Sequence, residues 1–237
     1  MTDRTYDTAS EDRMVGTFFN YVYSYMFKGV GLTALIIFAL GAFVPANIVS
    51  VISIVGLIAM IVSIFFIIPK VMTGSPEKAL KWFYIFAIIN GMALGAIGFI
   101  YPIKLIFMAF VGASVTFGTA GAYGRFTGKD ISGWGKYLLI ALISLIVVMI
   151  IDIVLAVFFG MNFTMLDIII SIAGIIIFTG LTAWDHQTLK NQFIDMGGFD
   201  NPDTKNLAVM GALSLYLDFI NLFLFFLRLL GVSSSND

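Results

Sequence analysis

The chain has 237 residues, no Cys and one His; 60% of it is hydrophobic and 11% is charged. Soluble domains carry about 25% charged residues, and so little polar surface cannot cover so apolar an interior in water. That excludes an ordinary soluble enzyme and a disordered chain. A net charge of −1 gives no electrostatic pull toward nucleic acid. Without Cys there are no disulfides, no thiolate chemistry and no zinc–thiolate sites.

The fold class expected is an all-α integral membrane protein with the lipid bilayer as its surroundings. Residues 1–27 mix charges and show no clean apolar run, so they read as a cytosolic N-terminal tail and not as a cleaved signal. Seven apolar stretches follow, each long enough or nearly so to cross about 30 Å of hydrocarbon: 28–44, 48–69, 80–101, 103–124, 137–159, 164–184 and 207–230. Pro45 and Asn47 interrupt the first turn, and Pro69, Gly74, Ser75 and Pro76 break the second. Tyr101-Pro102 marks a tight turn, Gly128 to Gly135 a polar loop, and Gly160-Met161-Asn162 another short turn. The polar stretch Asp195 to Asn206 leads into the last span. The domain plan is a tail at 1–27, a transmembrane domain at 28–231 and a short C-terminal tail at 232–237.

The basic residues set the orientation. With the N-terminus in the cytosol, Arg4, Arg13, Lys28, Lys70, Lys78, Lys81, Arg125, Lys129, Lys136, Lys190 and Lys205 fall inside, and only Lys104 and Arg228 fall outside. That asymmetry supports an N-in, C-out bundle. Gly91, Gly95 and Gly98 in span three, and Gly112, Gly118, Gly121 and Gly124 in span four, read as close helix packing. No internal repeat supports an inverted-repeat transporter plan.

Carboxylates inside a membrane are costly and tend to face the bundle interior with a function. Asp218 sits roughly mid-span, and Ser214, Asp218 and Asn221 form a polar stripe at i, i+4, i+7. The bland alternative is an Asp that only bonds a neighbouring helix. Asp185 shares a face with Ser171, Gly174, Phe178 and Thr182, with Phe178 interrupting the polar part. If span six runs on toward Phe193, Asp185 reaches a depth near that of Asp218; otherwise it is a solvated Asp at a helix end. Where the two faces meet, the carboxylates cannot both ionise easily, and they titrate as a unit. Such a pair takes a proton or, through its oxygens, a divalent cation such as calcium.

The other charges carry less weight. Asp152 and Asp167 form an outer acidic vestibule, or they merely cap helix ends. Lys70 beside Pro69 is a snorkelling interfacial lysine or reaches in to pair with an acid. His186 reads as a polar interfacial residue, although its ordinary pKa would let it sense pH. Asn162-Phe163-Thr164 fits a glycosylation sequon, a match too common to carry an argument. HExxH, GxSxG and Walker motifs are missing, which points away from an enzyme, and span seven has no Lys for a retinal Schiff base.

Three stretches resemble the Bax inhibitor-1 family, also called transmembrane Bax inhibitor motif proteins: YGRFTGKDISGWGKYLLIALI at 123–143, LTAWDHQTLK at 181–190 and YLDFINLFLFFLRLLG at 216–231. Phe19, Val22, Tyr23 and Met26 resemble the family's entry to span one. The likeness runs in order over nearly the whole chain, and the length suits a prokaryotic member. The resemblance implies seven helices with the last helix central, and a pH-dependent calcium leak. It also implies an aspartate pair as pH sensor, matching Asp185 and Asp218, and a basic partner on span two, matching Lys70. Lys where a relative carries Arg, and Trp184-Asp185-His186 where the family has a Tyr-Asp-Thr-Gln-like run, put the pH midpoint in doubt.

The leading expectation is a proton-gated calcium leak in a bacterial plasma membrane. It needs no cofactor; calcium and protons are its cargo and its signal. The alternative is a non-transporting interaction protein that modulates a membrane protease or a stress or cell-death regulator through the tail and residues 190–206. A proton-coupled solute transporter is the weakest of the three, because the spans hold few polar groups beyond the two stripes.

Overall fold

A computed structural model describes residues 2–161 and 163–234, with side chains over 10–161 and 163–233. Asn162 and the end of the expected C-terminal tail, 235–237, lie outside the described residues. The described chain is helical: α1 (Thr2–Phe43), α2 (Ala46–Phe66), α3 (Ile68–Thr73), α4 (Pro76–Ala93), α5 (Ile97–Ile100), α6 (Ile103–Phe126), α7 (Trp134–Phe159), α8 (Thr164–Asp195) and α9 (Thr204–Ser234), with a 3-10 turn at Gly198–Asp200. Seven stretches are long and apolar enough to cross a membrane. Their exposed surface is strongly apolar: Phe65 is 71% and Phe158 77% exposed. Such a surface is stable only against lipid.

By compactness the chain divides into two units. One comprises Met1–Ile100 with Leu189–Tyr216, the other Tyr101–Thr188 with Leu217–Asp237, so α8 and α9 each contribute to both.

In the first unit α1 and α2 pack against α4. Gly56 of α2 lies directly on the backbone of Met92 and Ala93, where a Cβ would come within 2.5 Å of the Ala93 nitrogen. At that contact α4 ends, and the chain turns through Leu94–Ala96 before α5. The freed Ala96 N–H donates to Ser53 Oγ of α2 at 3.0 Å. A broken helix at membrane depth survives because a side chain satisfies the released donor. Pro69 produces a second break, between α2 and α3, in the span expected to end there.

The expected cytosolic tail at 1–27 is helical from Thr2 and carries buried residues. One helix runs from Thr2 through Phe43, and Val15, Phe18, Phe19, Val22 and Met26 are buried. These residues recur at i, i+3, i+4, i+7 and i+11, a single helical stripe interleaved with Thr17, Asn20, Ser24 and three tyrosines. The boundary at 28 therefore has no structural counterpart, and α9 likewise runs past 231 to Ser234.

In the second unit α6, α7, most of α8 and the later part of α9 build the site. Burial differs sharply among the spans: half of the α9 span window is buried, against 6% for α7.

Candidate functional site

The site is assembled on α8 and α9 of the second unit. The long α8 continues to Asp195, so Asp185 lies well inside a helix and not at its end. Asp218 is only 5% exposed, and its Oδ2 is buried with no hydrogen-bond partner among the described residues. The groups acting on it most strongly are the Asp185 carboxylate and the Thr182 side chain. The two expected aspartates are thus brought together. Asp185 is half-buried and Thr182 fully buried.

Thr182 carries a constraint of its own. Its hydroxyl donates to the Phe178 carbonyl at 2.7 Å. A hydroxyl has one proton and two acceptor lone pairs, so it serves either the Phe178 oxygen or an ionised Asp218 as donor, not both. Ser171 donates to the Asp167 carbonyl at 2.7 Å, and Asn221 donates to the Leu217 carbonyl at 2.8 Å. Both supporting polar residues therefore back-bond within their own helices. Ser214 lies one turn before Asp218 and is half-buried. Phe178, which interrupts the α8 stripe, packs on Phe225 of α9 with ring centroids 5.8 Å apart.

His186 differs from the expectation. It is fully buried within the protein. Nδ1 lies 2.6 Å from the Thr182 carbonyl, and the ring meets Phe117 of α6 edge-to-face at 5.5 Å. Gly121 makes room for it: a Cβ there would sit 2.7 Å from the imidazole. Arg125, in the last turn of α6, is close enough to act on His186 electrostatically.

The segment joining α6 to α7 is fastened to α8 on either side of Asp185. Gln187 accepts from the Ile131 N–H at 2.8 Å and donates to the Lys129 carbonyl at 2.8 Å. Trp184 donates its indole N–H to the Ser132 carbonyl at 3.1 Å, with Gly135 beneath the ring. Ile131 is 2% exposed and clusters with Ala120 and Ala183. Gly124 of α6 is pressed against the Ala183 carbonyl. Asp130, in the same segment and outside the spans, is held below the usual carboxylate range by the Ser132 N–H and side chain.

Asp152 and Asp167 are not an open acidic surface. Both bind Arg228 of α9, Asp152 at 2.8 Å and Asp167 through a direct contact with the same guanidinium nitrogen. Reading the acids alone missed this partner, although Arg228 lies in a span and needs a counter-ion. Lys70, in the first unit, is exposed with its ammonium 4.2 Å from the Trp82 ring centroid. No group of three or more His, Asp or Glu suited to a metal occurs among the described residues. Two carboxylates alone would hold calcium only with waters completing its six to eight oxygens.

The family model described as inhibitor of apoptosis-promoting Bax1 matches residues 15–236. The protein YrjE of Lactococcus lactis is 33% identical over 230 residues, covering 94% of this chain and 93% of its own. The inner membrane protein YbhL of Escherichia coli K12 is 31% identical over 227 residues, 91% of each chain. The membrane protein SpyM3_0260 of Streptococcus pyogenes serotype M3 is 33% identical over 238 residues, covering 98% and 99%. With seven membrane-spanning helices and a match over nearly its whole length, this chain belongs to the Bax inhibitor-1 family.

Proposed function

We propose that this protein is a pH-sensitive calcium leak channel of a bacterial inner membrane, gated by the proton that Asp185 and Asp218 share. The observation that carries the reading is Asp218: a buried carboxylate whose strongest charged neighbour is another carboxylate and whose Oδ2 has no hydrogen-bond partner among the described residues. Like charges close together in a dry site favour sharing a proton or taking a cation. The name of YbhL supports the membrane assigned.

Thr182 supplies the link to movement. When Asp218 holds the proton, it donates to Thr182 Oγ1, and the Thr182 hydroxyl keeps its bond to Phe178. When Asp218 is ionised it needs a donor, and Thr182 serves it only by releasing the Phe178 carbonyl. Calcium, as cargo, replaces the proton in front of the two carboxylates. The clamp of Trp184 and Gln187 keeps the α6–α7 segment against α8, with Ile131 packed on Ala120 and Ala183. His186, next to Asp185 in the chain, and Arg125, which acts on it from α6, contribute to the local field. Lys70 is the proposed compensating cation, released from Trp82 when the state changes.

Calcium entry into liposomes holding the purified protein, from pH 5 to 8, tests this. Flux should depend on pH, and Asp185→Asn and Asp218→Asn should each flatten the dependence. Unchanged pH-dependent flux in Asp218→Asn overturns the reading. Absence of flux above empty liposomes favours the interaction-protein alternative, whose expected tail keeps Thr17, Asn20 and Tyr21 exposed beside its buried stripe.

A further inference from the structure

The first unit contains a cavity of about 390 Å3 that the leak does not use. It lies where the start of α4, the start of α9 and the early part of α1 converge. These are ends of three spans, the depth at which lipid headgroups meet protein. The volume falls in the range of small-molecule sites, about 300–1,000 Å3.

Its walls are aromatic and firmly held. Phe18 stacks on Phe193 at 4.6 Å, and Tyr21 meets Phe199 edge-on at 6.3 Å. Tyr25 completes the wall, and most of the remaining lining is apolar. Two charged side chains border the same cavity: Glu77 in the first turn of α4 and Lys205 in the first turn of α9. They do not pair with each other, and neither has a side-chain partner among the described residues.

From this geometry we infer that the cavity binds the phosphoethanolamine headgroup of a zwitterionic membrane phospholipid. One positive and one negative group on one aromatic cavity match a ligand carrying both signs. An anionic headgroup would meet Glu77 unpaired, and a simple cation would meet Lys205. The phosphate fits Lys205 and the positive end of a 31-residue helix. The ammonium fits Glu77 and the faces of Tyr21 and Tyr25. The acyl chains would extend into the bilayer, which ties the site to a lipid and not to a free zwitterion. The inference does not depend on the calcium reading, so either can fail alone.

Native mass spectrometry of the full-length protein in detergent, with equimolar phosphatidylethanolamine and phosphatidylglycerol, tests it. Phosphatidylethanolamine should be retained preferentially; Glu77→Gln should weaken that preference roughly threefold, the scale of one rim ion pair, and Lys205→Gln should lower retention of both lipids by a similar factor. Both positions are exposed, so neither variant threatens the fold. Tyr21→Ala should weaken retention without restoring phosphatidylglycerol. Equal retention of the two lipids by the unaltered protein overturns the assignment. So does a preference that Glu77→Gln leaves intact, retention that Lys205→Gln does not lower, or sn-glycero-3-phosphoethanolamine binding as tightly as the lipid.

Discussion

Two acidic sites lie along α9, and the chain treats them in opposite ways. Near Arg228, two carboxylates from α7 and α8 share one guanidinium, with side chains 14–30% exposed. Around Asp218 the burial is deeper, and the strongest charged neighbour is another acid. The Arg228 site is already compensated and ties three helices together. The Asp218 site leaves an acceptor oxygen without a bond among the described residues, so it gains by taking a proton or a cation. Identical residue types thus serve as a fastening in one place and, in the function proposed, as a responsive site in the other. The partner decides which.

The largest expected effect tests what holds the responsive site together. Gly124→Val would drive a branched side chain into the Ala183 carbonyl, between Thr182 and Asp185. Backbone cannot give way there as a flexible side chain would, so a loss of about 3 kcal/mol or more is expected. Thermal unfolding in detergent, or failure to accumulate in the membrane, reads it out.

Next comes the contrast itself. Arg228→Gln leaves Asp152 and Asp167 facing each other without their cation. Breaking a fully buried pair costs about 3–5 kcal/mol, and partial exposure reduces this to about 1–3 kcal/mol, or several degrees in Tm. Adding Asp152→Asn and Asp167→Asn to that variant should recover much of the loss. Asp218→Asn should behave in the opposite sense, with Tm unchanged or higher at pH 8, because it removes a charge beside a like charge. A Tm drop in Asp218→Asn as large as that of Arg228→Gln would erase the distinction between the sites.

A smaller effect comes from the clamp. Gln187→Ala strips the Ile131 N–H of its acceptor, a loss of about 1–2 kcal/mol. Protease cutting within 127–133 should rise before global unfolding. The smallest effect belongs to Asp130. Its folded carboxylate is held below the usual value, so its contribution is present above the ordinary aspartate pKa and fades as pH falls through the folded one. Asp130→Ala should therefore change Tm slightly at pH 7 and converge with the parent protein in strong acid.

Much of this molecule was legible without coordinates. Seven continuous apolar runs of about 20 residues become helices, because a helix satisfies its backbone within one segment, whereas barrel strands are shorter and alternate in polarity. Asp218, as a charge mid-span, marked itself. Other features were hidden for identifiable reasons. Residues 15–26 looked like a tail because their buried stripe is interleaved with Thr17, Asn20, Ser24 and three tyrosines, and only a helical period reveals it. The break at Leu94–Ala96 depends on Ser53, 43 residues away in sequence. The burial of His186 depends on Gly121 and Phe117 of another helix.

Composition and periodicity therefore determined the membrane class and the number of spans, and singled out Asp218 as a charge within a span, since these follow from how each segment meets water or hydrocarbon by itself. The tertiary structure alone decided which acid meets which partner: Asp152 and Asp167 on Arg228, Asp185 beside Asp218, Glu77 and Lys205 on one cavity. A charge in low dielectric is defined by what lies within a few ångströms of it, and that distance is set by packing between helices far apart in the chain.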